Sequence, residues 1–394
     1  MKQLPKSLSK KLQEREQNNA LRKLPVSNNL IDFASNDYLG FARSQEIFNQ
    51  THQYLLENNI RTNGATGSRL ISGNHNLYQI TEDCIANFHQ SETALIFNSG
   101  YDANIGFFSS VPHRNDIIFY DELCHASIRD GILMSNAKSY KFQHNNFENL
   151  EQLILKQKSI QINHCQTELV EVISNEIYIV TESVFSMDGD APNLEELATL
   201  CEKYNCNLVI DEAHALGIFG DNGQGLVQGQ EIQNKVFATI MTFGKGLGCH
   251  GAAILGSQEL KNYLVNFARS FIYTTGLSPH SVATILIAYQ YLKSENEAIQ
   301  KLKRNIQFFN QEKMQLGLKP LFVYSKSAIQ CAIIPGNEKV KLIATQLQEK
   351  GFDIKAILSP TVPEGQERLR FCLHSYNSEK EISDVLQLLS TFVF

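Results

Sequence analysis

Between about residues 45 and 290 the chain repeats one pattern, a short and almost wholly apolar run followed by a longer stretch of helical character. The apolar runs fall at residues 94–97, 116–119, 177–180, 208–210, 238–241 and 252–255, and Leu194–Tyr204 is an amphipathic helix between two of them. A strand with one wet face alternates apolar and polar residues, whereas a strand covered on both faces has no position left for polar ones. The pattern therefore predicts an α/β protein with a mostly parallel sheet clad by helices on both sides. At 394 residues the chain is longer than one core usually supports. Beyond residue 290 its character changes to a long polar helix over 295–317, then strands at 329–334 and 369–373 and helices at 340–350 and 379–389. The expected division is an N-terminal segment (1–44), a large domain (45–290) and a smaller α+β C-terminal domain (291–394).

Composition narrows the function. A net charge of −6 offers no general field for nucleic acid, and no apolar run is long enough to span a bilayer. Basic residues do gather near the N-terminus (Lys2, Lys6, Lys10, Lys11, Arg15, Arg22, Lys23), interleaved with Leu4, Leu8 and Leu12 at helical spacing. The expectation there is a basic surface helix docked on the body rather than a targeting peptide. The eight cysteines are scattered without metal-ligand spacing, so no metal is expected; they are expected to be reduced and mostly buried, in a cytoplasmic protein.

Polar residues punctuate the ends of the apolar runs, which is where open α/β sheets assemble ligand sites. Asp211-Glu212-Ala213-His214 follows one run, and Lys245, between Gly244 and Gly246, follows another. Each has a plain alternative. Asp211 could cap a helix, His214 could be a satisfied core histidine, and most lysines are surface lysines. The first motif also spells the acidic box of a helicase, but Thr239 stands where a phosphate loop ending at Lys245 needs its first glycine. The run 246–251 fits G-x-G-x-x-G, yet a strand rather than a helix is expected after it, and no acid waits at 268–273. Together, an amine, a carboxylate and an imidazole at strand ends suit pyridoxal phosphate chemistry, in which a lysine carries the aldehyde and an acid keeps the ring nitrogen protonated. Asn98-Ser99-Gly100-Tyr101 reads as a turn into a helix N-terminus, a natural phosphate seat. His125, after the run at 116–119, could stack on an aromatic ring or cap the next helix.

With these residues assembled, the chain resembles the α-oxoamine synthases, pyridoxal phosphate enzymes of the aspartate aminotransferase fold. The resemblance runs collinearly through Asn36-Asp37-Tyr38-Leu39-Gly40, Gly64-Ala65-Thr66-Gly67-Ser68-Arg69-Leu70, residues 121–127, 181–190, 211–217 and 242–248, Ser359-Pro360-Thr361-Val362-Pro363 and Arg368-Leu369-Arg370. It implies a large domain with a seven-stranded, mostly parallel sheet and a smaller C-terminal domain. It further implies a homodimer with the site between subunits, Tyr273-Thr274-Thr275 reaching toward the partner's cofactor. The runs at 67–73 and 360–363 point to the member that joins L-alanine to a pimeloyl thioester, carried on coenzyme A or acyl carrier protein.

The resemblance also implies roles. Lys245 would hold the cofactor and act as base and acid at the substrate α-carbon, with Asp211 on the ring nitrogen and His125 stacked on the ring. His214 and Ser186 would lie near the phenolic oxygen, and Gly100, Tyr101 and Thr242 at the phosphate. Arg370 would clamp the amino-acid carboxylate, a task suited to a guanidinium's paired donors, and Arg22 and Thr361 would line the substrate pocket. Two alternatives stand beside this one. The first is a sister enzyme using glycine or serine with another acyl chain. The second is a non-catalytic subunit of the same fold, against which the joint presence of Lys245, Asp211, His125 and His214 speaks.

Overall fold

The protein is described by a computed structural model covering residues 4–18, 20–22, 24, 29–165, 175–294 and 296–394. It separates into two compact units, one of Asn36–Ser186 and Asp190–Lys301, the other of Met1–Ser35, Met187–Gly189 and Leu302–Phe394. Among the described residues the strands, in chain order, are β1 (Ile31–Asp32), β2 (Thr93–Phe97), β3 (Ile117–Asp121), β4 (Lys138–Phe142), β5 (Ile177–Glu182), β6 (Asn207–Asp211), β7 (Ala238–Thr242), β8 (Ala252–Gly256), β9 (Ile329–Ile333), β10 (Phe352–Asp353), β11 (Lys355–Ile357) and β12 (Arg368–Cys372).

The larger unit holds a seven-stranded sheet in the order β2-β8-β7-β6-β5-β3-β4. Pairs from β4 through β7 are parallel, and β8 runs antiparallel to both of its neighbours. The exception has a simple cause. Nine residues, 243–251, join β7 to β8, too few for the crossover that a parallel neighbour requires. Successive residues of each strand enter opposite cores, as the period-two geometry of a strand demands. Tyr178, Val180, Ile118, Val209 and Ile240 face one core, while Ile177, Ile179, Ile117, Phe119, Leu208 and Ile210 face the other. Each apolar run seen in the sequence is one of these strands.

β4 escaped the sequence reading because it is an edge strand: of Lys138–Phe142 only Phe142 is buried. Leu194–Tyr204 is a helix, begun by the Asn193 side chain accepting from the Glu196 N–H and ended at Asn205 with φ 49°. The Asn205 conformation is one that asparagine tolerates better than most residues.

In the smaller unit β11, β12 and β9 form an antiparallel sheet, and β1 pairs with β10 in parallel. Helices Asn337–Glu349 and Glu379–Val393 accompany them, the second begun by a capping box of Ser378 and Glu381. The long polar helix runs Glu297–Gln315; Glu295, where the sequence reading began it, lies outside the described residues. The N-terminal helix exists, Lys6–Gln17; none of its residues is buried, Leu4, Leu8 and Leu12 are about half exposed, and Lys11, Glu14 and Arg15 line a cavity together with Asn337, Ser359 and Pro360. Among the described residues no helix is long and apolar enough to cross a membrane, and the cysteines described are free thiols.

The load on the sheet's centre is testable. Ile240→Ala removes a fully buried side chain from β7 and is expected to lower the unfolding free energy by about 2–5 kcal/mol. Urea denaturation of the cofactor-free protein measures it, and a change within experimental error would show that Ile240 carries little of the packing.

Candidate active site

The parallel pairing brings the ends of β3, β5, β6 and β7 to one edge of the sheet. Glu182 and Asp211 are direct register partners there, and Asp211 pairs in turn with Ile240 of β7. β2 ends at the same edge, since Phe97 and Thr242 both pair with Ala252.

Lys245 sits in the turn leaving β7. Phe243 N–H donates to the Gly251 carbonyl and Cys249 N–H to the Phe243 carbonyl, so a closed loop presents the half-buried lysine. Gly246 is required by close approach: a Cβ there would run into the main-chain oxygen of Leu216, in the segment that follows Asp211. The turn bearing the amine is thereby seated on the segment bearing the acid.

Asp211 is 5% exposed. Its two oxygens accept from the Ala213 N–H and the Asn104 side-chain amide, both at 2.9 Å. Asn104 also donates to the Ser127 hydroxyl at 3.0 Å, and that hydroxyl lies 2.8 Å from His125 Nδ1. A chain of hydrogen bonds thus links the imidazole to the carboxylate. His125 begins helix Ala126–Met134, its Nδ1 accepting from the Ser127 N–H, so the helix-cap alternative describes its present bonding. Its pKa is lowered, by desolvation first and then by the nearby Lys245 ammonium, with Arg129 adding to the effect. Asp211 and Asp130 pull the other way.

His214 is buried, and its Nδ1 lies 2.7 Å from the Tyr38 hydroxyl. Ser186 is half-buried in the loop beyond β5. At the start of helix Gly100–Ser110 a Cβ on Gly100 would collide with the Thr242 hydroxyl. The missing side chain leaves a cradle formed by that hydroxyl and the N–H groups of Gly100 and Tyr101, those of Asp102 and Ala103 being taken by the Ser99 hydroxyl and carbonyl.

Arg22, Thr361 and Arg370 belong to the smaller unit. Arg22 and Thr361 are exposed, whereas Arg370 is 9% exposed on β12 and donates to Cys372 Sγ at 2.9 Å. The larger unit therefore gathers Lys245, Asp211, His125, His214, Ser186, Gly100, Tyr101 and Thr242, and the three substrate candidates are residues of the chain's other unit. Within the larger unit the donor set fits a ligand with an anionic phosphate, a protonated ring nitrogen and a carbonyl that an amine can attack.

The sequence reading named no role for Asn104, Ser127, Tyr38 or Glu182. Asn104 was within reach: it lies one helical turn after Gly100 and therefore on the same face. Ser127 and Tyr38 carried no local signal, because their partners are distant in sequence.

Comparison with known proteins agrees with this geometry. The model of the aminotransferase class I and II family matches residues 28–389. An 8-amino-7-oxononanoate synthase from Emericella nidulans is 35% identical over 398 residues, covering 98% of this chain and 95% of its own. The chain belongs to the class I and II aminotransferase family, among the α-oxoamine synthases. Its fold is also that of 8-amino-7-oxononanoate synthase from Francisella tularensis (28% identity, TM-score 0.76, covering 93% of this chain and 98% of that one). Serine palmitoyltransferase from Sphingomonas wittichii has the same fold at 23% identity (TM-score 0.86, 99% and 98% covered). The aspartate aminotransferase-like architecture expected from the sequence is the one observed.

Beside the site His144 bridges two carboxylates, Nδ1 to Asp121 at 2.9 Å and Nε2 to Asp190 at 2.8 Å. Burial alone would lower its pKa, but the hydrogen bonds and charges of the two aspartates outweigh burial and raise it to about 10. A folded pKa above the ordinary 6.5 means that the contribution is complete below pH 6.5 and is lost as pH rises through 10. The melting temperature of the cofactor-free protein should fall between pH 7 and 10 for this reason. In His144→Gln the curve should start lower and be flatter, and a parallel curve would remove His144 as the cause.

Proposed function

We propose that the protein is an 8-amino-7-oxononanoate synthase, a pyridoxal phosphate enzyme that condenses L-alanine with a pimeloyl thioester and releases carbon dioxide and the free thiol. The observation that carries the reading is the meeting of the Lys245 turn, the buried Asp211 and the Gly100–Thr242 cradle at one sheet edge, in a chain 35% identical along nearly its whole length to an enzyme of that name.

The cofactor is pyridoxal 5'-phosphate; when bound it supplies an electrophilic aldehyde and a conjugated ring that takes up the electron pair left at the substrate α-carbon. Lys245 Nζ holds the aldehyde carbon at rest. Its amine, when free of the aldehyde, would remove the proton from alanine Cα and return one to the same carbon. Asp211, its two oxygens fixed by the Ala213 N–H and the Asn104 amide, would face the ring nitrogen and keep it protonated. His125 covers the ring face and excludes water, and His214 and Ser186 serve the phenolic oxygen. The N–H groups of Gly100 and Tyr101 and the Thr242 hydroxyl hold the phosphate.

The α-carbon, made nucleophilic, attacks the thioester carbonyl, and the carbon–sulfur bond breaks to release the thiol. The β-keto acid then loses its carboxylate as carbon dioxide. Arg370 clamps that carboxylate until it leaves, and Arg22 and Thr361 line the acyl pocket. The thiol carrier is coenzyme A or acyl carrier protein, and the working unit is a homodimer in which 273–275 approach the partner's cofactor.

The first experiment is absorption spectroscopy with added cofactor, then L-alanine, glycine or L-serine, followed by mass spectrometry of the product formed with a pimeloyl thioester. A visible band that responds to alanine, together with a product of the mass of 8-amino-7-oxononanoate, is the expected result. A response to glycine or serine alone would reassign the protein to a sister α-oxoamine synthase. Lys245→Ala is expected to cut turnover by at least about 10²–10⁴-fold, read as product formed per hour. Asp211→Asn should bind the cofactor nearly as well as the parent yet turn over roughly 10²-fold more slowly; equal turnover would exclude the role given to Asp211.

A further inference from the structure

Glu182 is a second carboxyl at the same edge, and nothing in the proposed mechanism uses it. It ends β5, is 3% exposed and is the register partner of Asp211. Its Oε1 accepts the main-chain N–H of His125 at 2.6 Å. That N–H lies in the turn between β3 and helix Ala126–Met134, the point from which the imidazole projects. The bond joins the strand beside Asp211 to the backbone that carries His125.

We propose that Glu182 is a positioning residue of the cofactor site, its buried carboxyl anchoring the His125 main chain so that the imidazole is held over the place a ring occupies. This rests on the reading that pyridoxal phosphate binds between His125 and Asp211. The anchor needs only an acceptor oxygen, and its surroundings disfavour a charge there. Desolvation comes first, the negative charge of Asp211 follows and that of Asp121 adds to it, while Lys245 and the His125 N–H oppose them; the balance raises the pKa to about 8. Cys124, fully buried beside it, contributes no positive charge. Two adjacent buried carboxyls divide their roles in this way when one has more donors than the other. Asp211 has donors on both oxygens, whereas Glu182 has the raised pKa and keeps its proton at neutral pH while its Oε1 accepts from the His125 N–H.

Glu182→Gln and Glu182→Val separate the acceptor from the charge. Glutamine retains an oxygen for the His125 N–H; valine, a good strand residue, does not. In the cofactor-free protein, amide hydrogen exchange of residues 123–129 should be as slow in Glu182→Gln as in the parent, and faster by about tenfold in Glu182→Val. With cofactor, Glu182→Gln should keep the dissociation constant within about threefold and preserve the circular dichroism of the bound ring. Glu182→Val should weaken binding about tenfold and diminish that dichroism, with kcat falling while KM for the thioester stays unchanged. Valine behaving as the parent would overturn the proposal, as would glutamine failing as badly as valine, since that would mean a charge is required. Should Glu182→Val not fold, the comparison of Glu182→Gln with the parent between pH 6 and 7.5 decides: superimposed cofactor-affinity profiles support a neutral anchor, and divergent ones refute it. A parent protein that takes up no pyridoxal phosphate would instead bring down the functional reading, and it is recognised before any variant is made.

Discussion

Satisfying the buried carboxyl of Asp211 is the constraint from which the rest of the site follows. An unpaired carboxylate in a protein interior is costly enough that it ordinarily takes up a proton. In this protein one oxygen is met by the main chain two residues on and the other by Asn104, 107 positions away. To deliver that amide, helix Gly100–Ser110 must begin at the edge where β6 ends, and the same placement sets the Gly100 turn against Thr242. Asn104 then reaches Ser127, and Ser127 reaches His125. One satisfied carboxyl therefore fixes helix Gly100–Ser110 and, through Ser127, the imidazole of His125 at the same edge.

The amine arrives by a different device. Lys245 is carried by a loop too short to cross the sheet, so the chain must turn back as β8, and the lysine is held at the edge rather than swept away along a helix. Gly246 lets this loop lie against the Leu216 carbonyl, and Gly248, at φ 59°, lets it pass the backbone of Ala42. The acid and the amine are thus joined through backbone contact between their two loops.

The fold was legible where burial is continuous. Strands covered on both faces need unbroken apolar runs, and those runs marked β2, β3 and β5 through β8. β4 was hidden because an edge strand with lysines at 138 and 141 looks like a loop. The N-terminal leucines signalled a helix but not how far it would be covered, since helical spacing records a face and says nothing of what lies against it. In the site, the motif residues stood out because polar groups at the ends of apolar strands are conspicuous. Tyr38 and Ser127 did not, because a hydroxyl has no such context until its partner is known.

The amino-acid sequence by itself determined the position and spacing of the strands covered on both faces, the glycine-flanked lysine turn and the family, because these depend on local periodicity and on residues adjacent in the chain. Tertiary structure alone decided which polar groups pair. Asn104 rather than a neighbour satisfies Asp211, Tyr38 meets His214 across 176 positions, and Glu182 takes the His125 N–H across 57. Hydrogen bonds are made at about 3 Å between side chains that the register of the sheet has brought together, and register is a property of the assembled sheet that no single segment contains.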